Sequence, residues 1–362
     1  MRFILAGEES RDAWNAFVTS HAGGHLYQSY EWGEVLSYSG AKIIRGGVEN
    51  NGRWCATISM IVKQLGVRAA TYLYAPLGPI VEFNDKEAVA CLVQGVQRIA
   101  EDSNAICLRI DPNWPDDNGE VRNSLLQNGF IHLNKNWSSH NYPRLVMRVD
   151  LQGDEDELLK RVRKTHRQRI TGTERNGVSV FSAETEPELR TFWHMLRRVG
   201  DVKGFLIRDY EYFAAMWAKF VRAGSGKLLL TKYKEDIIGG VLAIRYGRGC
   251  WYLYGASDQK YHHLNSNQRL HWEMMKWAKS MGCAVYDMGG TGTDYPILPE
   301  STNYSLYHFK KGFGAEVMYL TGYYDLIFRP AAYRCFRFGE EHVLPWGLAI
   351  VSSLQKLRQT LA

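Results

Sequence analysis

Two carboxylates stand at the ends of apolar runs. Ala105-Ile-Cys-Leu-Arg-Ile110 stops at Asp111, and Ala284-Val-Tyr286 stops at Asp287. A carboxylate at a strand end beside a cleft can orient or deprotonate an attacking amine. Asp111 also suits a plain turn before Pro112, and Asp287 is read as a prop for its own turn. Arg208-Asp-Tyr-Glu-Tyr-Phe213 sets a guanidinium, a planar fork of donors suited to phosphate, near the hydroxyl of Tyr212. The alternative is an arginine at a helix start paired with Asp209 or Glu211. Tyr254 closes the word Cys250-Trp-Tyr-Leu-Tyr254 and is assigned to substrate contact. The densest basic run holds seven Lys and Arg between Lys160 and Arg175, opposed only by Glu174. It reads equally as a solvated helix face and as a surface that neutralises a string of phosphates.

Other chemistries lack their residues. There is no Gly-x-x-x-x-Gly-Lys-Ser/Thr loop, no Gly-x-Ser-x-Gly elbow and no His-Glu-x-x-His pair. None of the six cysteines forms a Cys-x-x-Cys pair, and most sit in apolar runs, which predicts buried, reduced thiols. His262 and His263 are adjacent, so on a helix they point apart as exposed polar residues. Gly289-Gly-Thr-Gly292 follows a strand without opening a clear helix and reads as a turn, not a dinucleotide loop. No metal and no cofactor are expected.

The elements that must position these residues repeat. A helix with Trp14 and Phe17 leads to Tyr27-Gln-Ser-Tyr-Glu-Trp32 at the start of another. Strands follow through Ala56–Val62 and Ala70–Tyr74, then a helix near Glu87–Glu101 and the strand ending at Asp111. The second half gives Phe192 and Trp193 on a helix, Ile207–Phe213 opening another, and strands at Lys227–Lys232, Ile237–Arg245 and Cys250–Tyr254. A helix over Ser266–Met281 and the strand ending at Asp287 complete it. Trp32 and Tyr74 are 42 positions apart, and Phe213 and Tyr254 are 41 apart. The order of each half resembles the acyl-CoA N-acyltransferase (GNAT) unit. It predicts an α/β fold of tandem GNAT-like domains with mixed sheets. A GNAT that uses coenzyme A needs a glycine-rich turn of backbone donors after its central strand. Ala75-Pro-Leu-Gly-Pro79 and Tyr254-Gly-Ala-Ser-Asp-Gln-Lys-Tyr-His-His263 offer none, and proline removes donors from the first.

At 362 residues the chain suits two domains. We place a first at 1–150 on the acceptor side, a second, catalytic one at 151–330, and a C-terminal helical tail at 331–362. Net charge of +6 permits an anionic partner without requiring one. The acidic residues right after Met1-Arg-Phe-Ile-Leu argue against a signal peptide, and a cytoplasmic protein is expected. The apolar stretch from Trp346 to Leu354 fits a docked helix, or one lying peripherally on a membrane.

Three words together carry a more specific resemblance. Trp251-Tyr-Leu-Tyr-Gly-Ala-Ser257, Tyr286-Asp-Met-Gly-Gly290 and Ser305-Leu-Tyr-His-Phe-Lys-Lys-Gly-Phe-Gly314 resemble the Fem family (FemA, FemB, FemX), as do Gln28–Trp32, Ala75–Pro79 and Leu108–Pro112. The family transfers amino acids from aminoacyl-tRNA to peptidoglycan precursors, building interpeptide bridges. The resemblance therefore implies an aminoacyl-tRNA donor and an amine of a precursor stem peptide as acceptor, UDP-linked or lipid-linked. It implies Lys310 as the catalytic residue that stabilises the oxyanion, with Phe309 beside it as core or stacking platform. It assigns Arg208 and Tyr212 to the precursor's phosphate and sugar. Asp111 and Tyr254 join them as substrate contacts, and Lys160, Arg163, Lys164 and Arg167 as tRNA contacts. On a strand, Lys310 and Lys311 would face opposite ways. Two departures stand out. Glu186–Tyr212 leaves no room for the long helical arm of some members. Leu36 replaces a lysine that contacts a precursor phosphate in nucleotide-sugar-binding members.

Overall fold

The computed structural model describes residues 1–65, 70–133, 143–292 and 296–343. Its first part runs β1 (Arg2–Leu5), α1 (Arg11–Ser20), α2 (Tyr30–Tyr38), β2 (Lys42–Asn50), β3 (Arg53–Gln64), β4 (Thr71–Ala75), β5 (Ile80–Val81), α3 (Lys86–Asp102), β6 (Ala105–Ile110), α4 (Gly119–Gln127) and β7 (Phe130–Leu133). The second runs β8 (Leu145–Asp150), α5 (Glu155–Arg161), α6 (Lys164–Arg175), β9 (Val178–Ser182), α7 (Glu186–Lys203), α8 (Tyr210–Met216), β10 (Gly226–Tyr233), β11 (Asp236–Tyr246), β12 (Gly249–Ser257), α9 (Ser266–Ser280), β13 (Val285–Gly290), α10 (Tyr304–Lys311), β14 (Glu316–Tyr319), β15 (Tyr323–Ile327) and α11 (Pro330–Phe338).

Local chemistry explains the boundaries. Asn51-Gly52, both at positive φ, make the tight turn from β2 to β3. Ser29 accepts the Trp32 amide at the start of α2, and Asp85 accepts that of Ala88 at the start of α3. Asp209 caps α8 in the same way through the Tyr212 amide. Gly204 closes α7 in the left-handed region.

The strands form two mixed sheets, ordered β1-β2-β3-β4-β6-β15-β7, with β5 against β3, and β14-β8-β13-β12-β11-β10-β9. Each has one parallel pair at its centre, β4 with β6 and β12 with β13. In the first, a strand from the second part of the chain completes the order. β8 follows β7 in sequence yet lies between β13 and β14, while β15 follows β14 yet lies between β6 and β7. The chain thus crosses to the second sheet before position 150 and returns to the first after Tyr319. Arg109 on β6 holds Asp325 on β15 through two 2.8 Å bonds and also binds Glu340.

One core lies against each sheet, around Ile58, Leu92 and Leu108 in the first and Met147, Leu270 and Tyr286 in the second. A third joins the halves. Leu26, Trp32, Val35 and Leu36 pack against Phe192, Tyr212, Phe213, Phe220 and Trp251. No helix among the described residues is long and apolar enough to cross a membrane. The stretch from Trp346 to Leu354 lies outside the described residues.

Candidate active site

β12 and β13 run side by side only from Gly249–Trp251 against Val285–Asp287, then part. A cavity of about 260 Å³ opens beside the free half of β12. Tyr252, Gly255, Ala256, Ser257, Asn267, His271 and Phe309 are among its lining. Lys310 lies one residue beyond Phe309, on α10. This corrects the expected strand: the segment is a helix, closed by Gly312 and by Gly314 at positive φ. Aromatic residues at Tyr304 and Tyr307 give the three-residue spacing of a helix face. The two lysines still differ in burial, because a helix rotates about 100° per residue. Lys310 is 3% exposed and Lys311 lies open.

The Lys310 ammonium donates to the carbonyls of Gly289 at 3.1 Å and Gly290 at 2.6 Å. The Gly-Gly word is thus the end of β13 and supplies a lysine cradle. Burial pushes the ammonium down to about 8, opposed by the nearby Asp287 carboxylate. Asp287 accepts from the Gly289 amide at 2.7 Å and from Arg148 at 2.8 Å. It props the turn that holds Lys310.

Asp111 is 5% exposed and accepts the Leu77 amide at 2.8 Å and the Tyr74 hydroxyl at 3.0 Å. The Ala75–Pro79 turn therefore spends a donor on Asp111. Burial outweighs these bonds and raises the carboxyl to about 8. At neutral pH it is largely a neutral acid and a poor base.

Tyr27, which sequence reasoning passed over, packs between the halves, against the core around Trp32 and the cluster around Leu77. Its hydroxyl lies within electrostatic reach of Tyr254, Asp287, Arg208 and Asp111. Its ring stacks on Trp32 at 4.5 Å. Tyr212 is buried, with its hydroxyl bonded to that of Tyr254, so Tyr254 is the more open of the two. Arg208 is exposed, with its guanidinium 4.7 Å above the Tyr212 ring. Asp209 is occupied as a helix cap and does not neutralise it.

Lys63 on β3 was also missed. It is half-buried and within electrostatic reach of Arg208, which together with burial lowers its pKa. Neither cation has an ion-pair partner among the described residues. Lys63 lies on β3 and Arg208 just before α8, far apart in sequence, so no local motif could have marked Lys63. Leu36 is buried in the core that joins the halves.

The basic run divides. Lys160 and Lys164 are open to solvent, while Arg163 bonds the His308 ring on α10 at 2.8 Å. Arg167 turns back to the carbonyls of Leu159 and Lys160. His262 and His263 are exposed, as expected. The cysteines correct expectation. Cys107, Cys250 and Cys283 are buried, but Cys55 and Cys91 are half-buried and Cys335 is exposed, because α11 turns it outward. Among the described residues, no group of three or more His, Cys, Asp or Glu could hold a metal ion.

The FemAB family model matches residues 10–232 and 221–340. The chain belongs to the FemAB family. Among curated relatives, a lipid II:glycine glycyltransferase of Staphylococcus epidermidis is 25% identical over 384 residues, covering 88% of this chain and 92% of the relative. A crystal structure of FemX superposes with a TM-score of 0.84 at 23% identity, over 92% of this chain and 99% of that one. A tandem GNAT protein of clavulanic acid biosynthesis gives a TM-score of 0.54 at 10% identity, over 90% of this chain and 97% of that one. The fold of this FemAB protein is thus the expected tandem GNAT arrangement of mixed sheets. The helical arm is absent: α7 and α8 are joined by a short connection from Gly204 to Asp209.

Proposed function

We propose that this FemAB protein is an aminoacyltransferase that moves an amino acid from aminoacyl-tRNA to an amine on the stem peptide of a peptidoglycan precursor. The observation that carries the reading is a buried ammonium, Lys310, fixed by two carbonyls where β12 and β13 part, beside a cavity walled by Phe309. An aminoacyl ester is already activated, so no covalent enzyme intermediate is required. The acceptor amine attacks the ester carbonyl carbon and a C–N bond forms. The carbonyl oxygen becomes an oxyanion, which Lys310 neutralises. The C–O bond to the ribose then breaks, and the leaving oxygen takes up the proton that the amine gives up. The products are an amide and deacylated tRNA.

The acceptor belongs in the cleft around Tyr27, where Lys63 and Arg208 form an uncompensated pair of cations suited to a phosphate. Tyr254 and the acid Asp111 line the approach to the amine. A lipid-linked precursor fits the lipid II substrate of the Staphylococcus relative, and the loss of lysine at Leu36 is offset by Lys63. The donor enters beside α6 and α10, where Lys160, Arg163, Lys164 and Arg167 meet its phosphates. This reading implies a cytoplasmic protein, since charged tRNA is found there.

The test is incubation with a mixture of charged tRNAs and with UDP-linked and lipid-linked precursors, read by mass. One precursor should gain a single amino-acid residue, dependent on charged tRNA. Acetyl transfer from acetyl-CoA with no aminoacyl transfer would replace this reading by that of a coenzyme A-dependent GNAT.

A further inference from the structure

His271 lies on α9 at the wall of the cavity, 4% exposed. Four aromatic rings surround it: Tyr252 at 4.8 Å, Phe309 and Phe313 at 5.5 Å, and Tyr286 at 6.1 Å. Its Nδ1 is 3.0 Å from the Tyr286 hydroxyl, and that contact is buried. Among the described residues its Nε2 has no hydrogen-bond partner, and the residue lines the cavity.

The hydrogen-bond network assigns the tautomer. The Tyr286 hydroxyl is fully buried, with His271 as its hydrogen-bond partner. If Nδ1 carried the proton, it would donate to the tyrosine oxygen and strand the hydroxyl hydrogen, which is costly in a buried site. If the hydroxyl donates to Nδ1, both groups are satisfied and the imidazole proton sits on Nε2. The cavity therefore meets an N–H donor. Burial, with Lys310 and His166 nearby, pushes the imidazole down to about 3. It stays neutral through the physiological range and is too weak a base to take a proton from the acceptor amine.

We propose that His271 holds the acyl donor by donating its Nε2–H to one of the donor's oxygens, either that of the acyl linkage or a hydroxyl of the terminal ribose. This rests on the aminoacyl-tRNA reading. Tyr286 is then a positioning residue, which fixes the tautomer without touching the donor. The role is specific to hydrogen bonding, so a side-chain amide at the same position should serve and an alkyl group should not.

The experiment uses the full chain and an RNA minihelix, either uncharged or carrying an amino acid through a non-hydrolysable amide at its 3′ end. Binding is measured for wild type, His271→Gln, His271→Leu and the double variant His271→Leu/Tyr286→Phe, which removes the hydroxyl that leucine would orphan. Both leucine variants should bind about tenfold more weakly, as the loss of one neutral hydrogen bond implies. His271→Gln should return to within a few-fold of wild type. Weakening with the charged minihelix alone places the bond at the acyl oxygen; weakening with both places it on the ribose. Wild-type affinity in the double variant, or a glutamine variant as weak as leucine, overturns the inference. A wild-type protein that binds neither minihelix overturns the donor reading as well, which separates the two failures.

Discussion

Lys310 and Lys311 are neighbours in sequence with opposite environments, and that contrast makes the catalytic proposal sharp. An ammonium that meets charge only in the transition state should affect turnover and leave substrate affinity nearly intact. Lys310→Met is expected to lose on the order of 100- to 1,000-fold in kcat, and Lys311→Met to lose little. The sign of the pH dependence follows from burial, which lowers the Lys310 pKa to about 8. Below that value the ammonium is present and the ratio of wild-type to Lys310→Met rates is flat. Above it the ratio falls about tenfold per pH unit as the lysine loses its proton. Taking the ratio cancels the titration of the acceptor amine. A ratio constant to pH 10 would assign the lysine to structure. At the cleft, Lys63→Met should raise KM for a phosphate-bearing precursor about as much as Arg208→Met does, with kcat little changed. The lesson at this scale is uneven. Lys310, Arg208 and Asp111 were legible because they stand in words of neighbouring residues. Lys63 and Tyr27 were not, since each owes its place to packing across the cleft. The neutral state of Asp111 was equally invisible, because burial sets it.

At the scale of elements, period and turn chemistry gave most strands and helices. β6 matches its predicted span, and the β10–β11 hairpin forms around Lys234, at positive φ, and Glu235. The segment from Ser305 to Lys311 is not marked as a helix by Phe309-Lys-Lys-Gly312 alone, because the aromatic spacing that marks α10 begins earlier, at Tyr304. The basic run was ambiguous in sequence and divides in the structure. Arg163 and Arg167 have protein partners, whereas Lys160 and Lys164 project into solvent beside α10. The two lysines should therefore carry the electrostatic part of tRNA binding. Lys160→Glu/Lys164→Glu is expected to weaken tRNA binding. The slope of log affinity against log salt should become shallower by about one for each phosphate that the variant no longer neutralises. Equal affinities and slopes would leave the run as a solvated face.

The repeat seen in sequence implies two similar units, but the return of β15 to the first sheet could not be inferred from it. Alternating strands carry no label for the sheet they will join. The crossing makes the first sheet depend on the second part of the chain. A fragment ending at 150 would leave a gap between β6 and β7 and expose Arg109, which is 1% exposed in the whole chain. Arg109, Asp325, Glu340 and the Tyr333 hydroxyl form one buried network at that junction. Breaking a buried ion pair from one side leaves an unpaired charge, at a cost of about 3–5 kcal/mol. Asp325 is 0% exposed, so Arg109→Met should destabilise the protein by that amount. Because β15 belongs to the first sheet while the chain leading to it comes from the second, both halves should be lost together. Denaturant unfolding followed by tryptophan fluorescence and by far-ultraviolet circular dichroism should give coincident transitions, shifted equally by Arg109→Met. Two separated transitions, with only one moved by the substitution, would mean that β15 does not couple the halves.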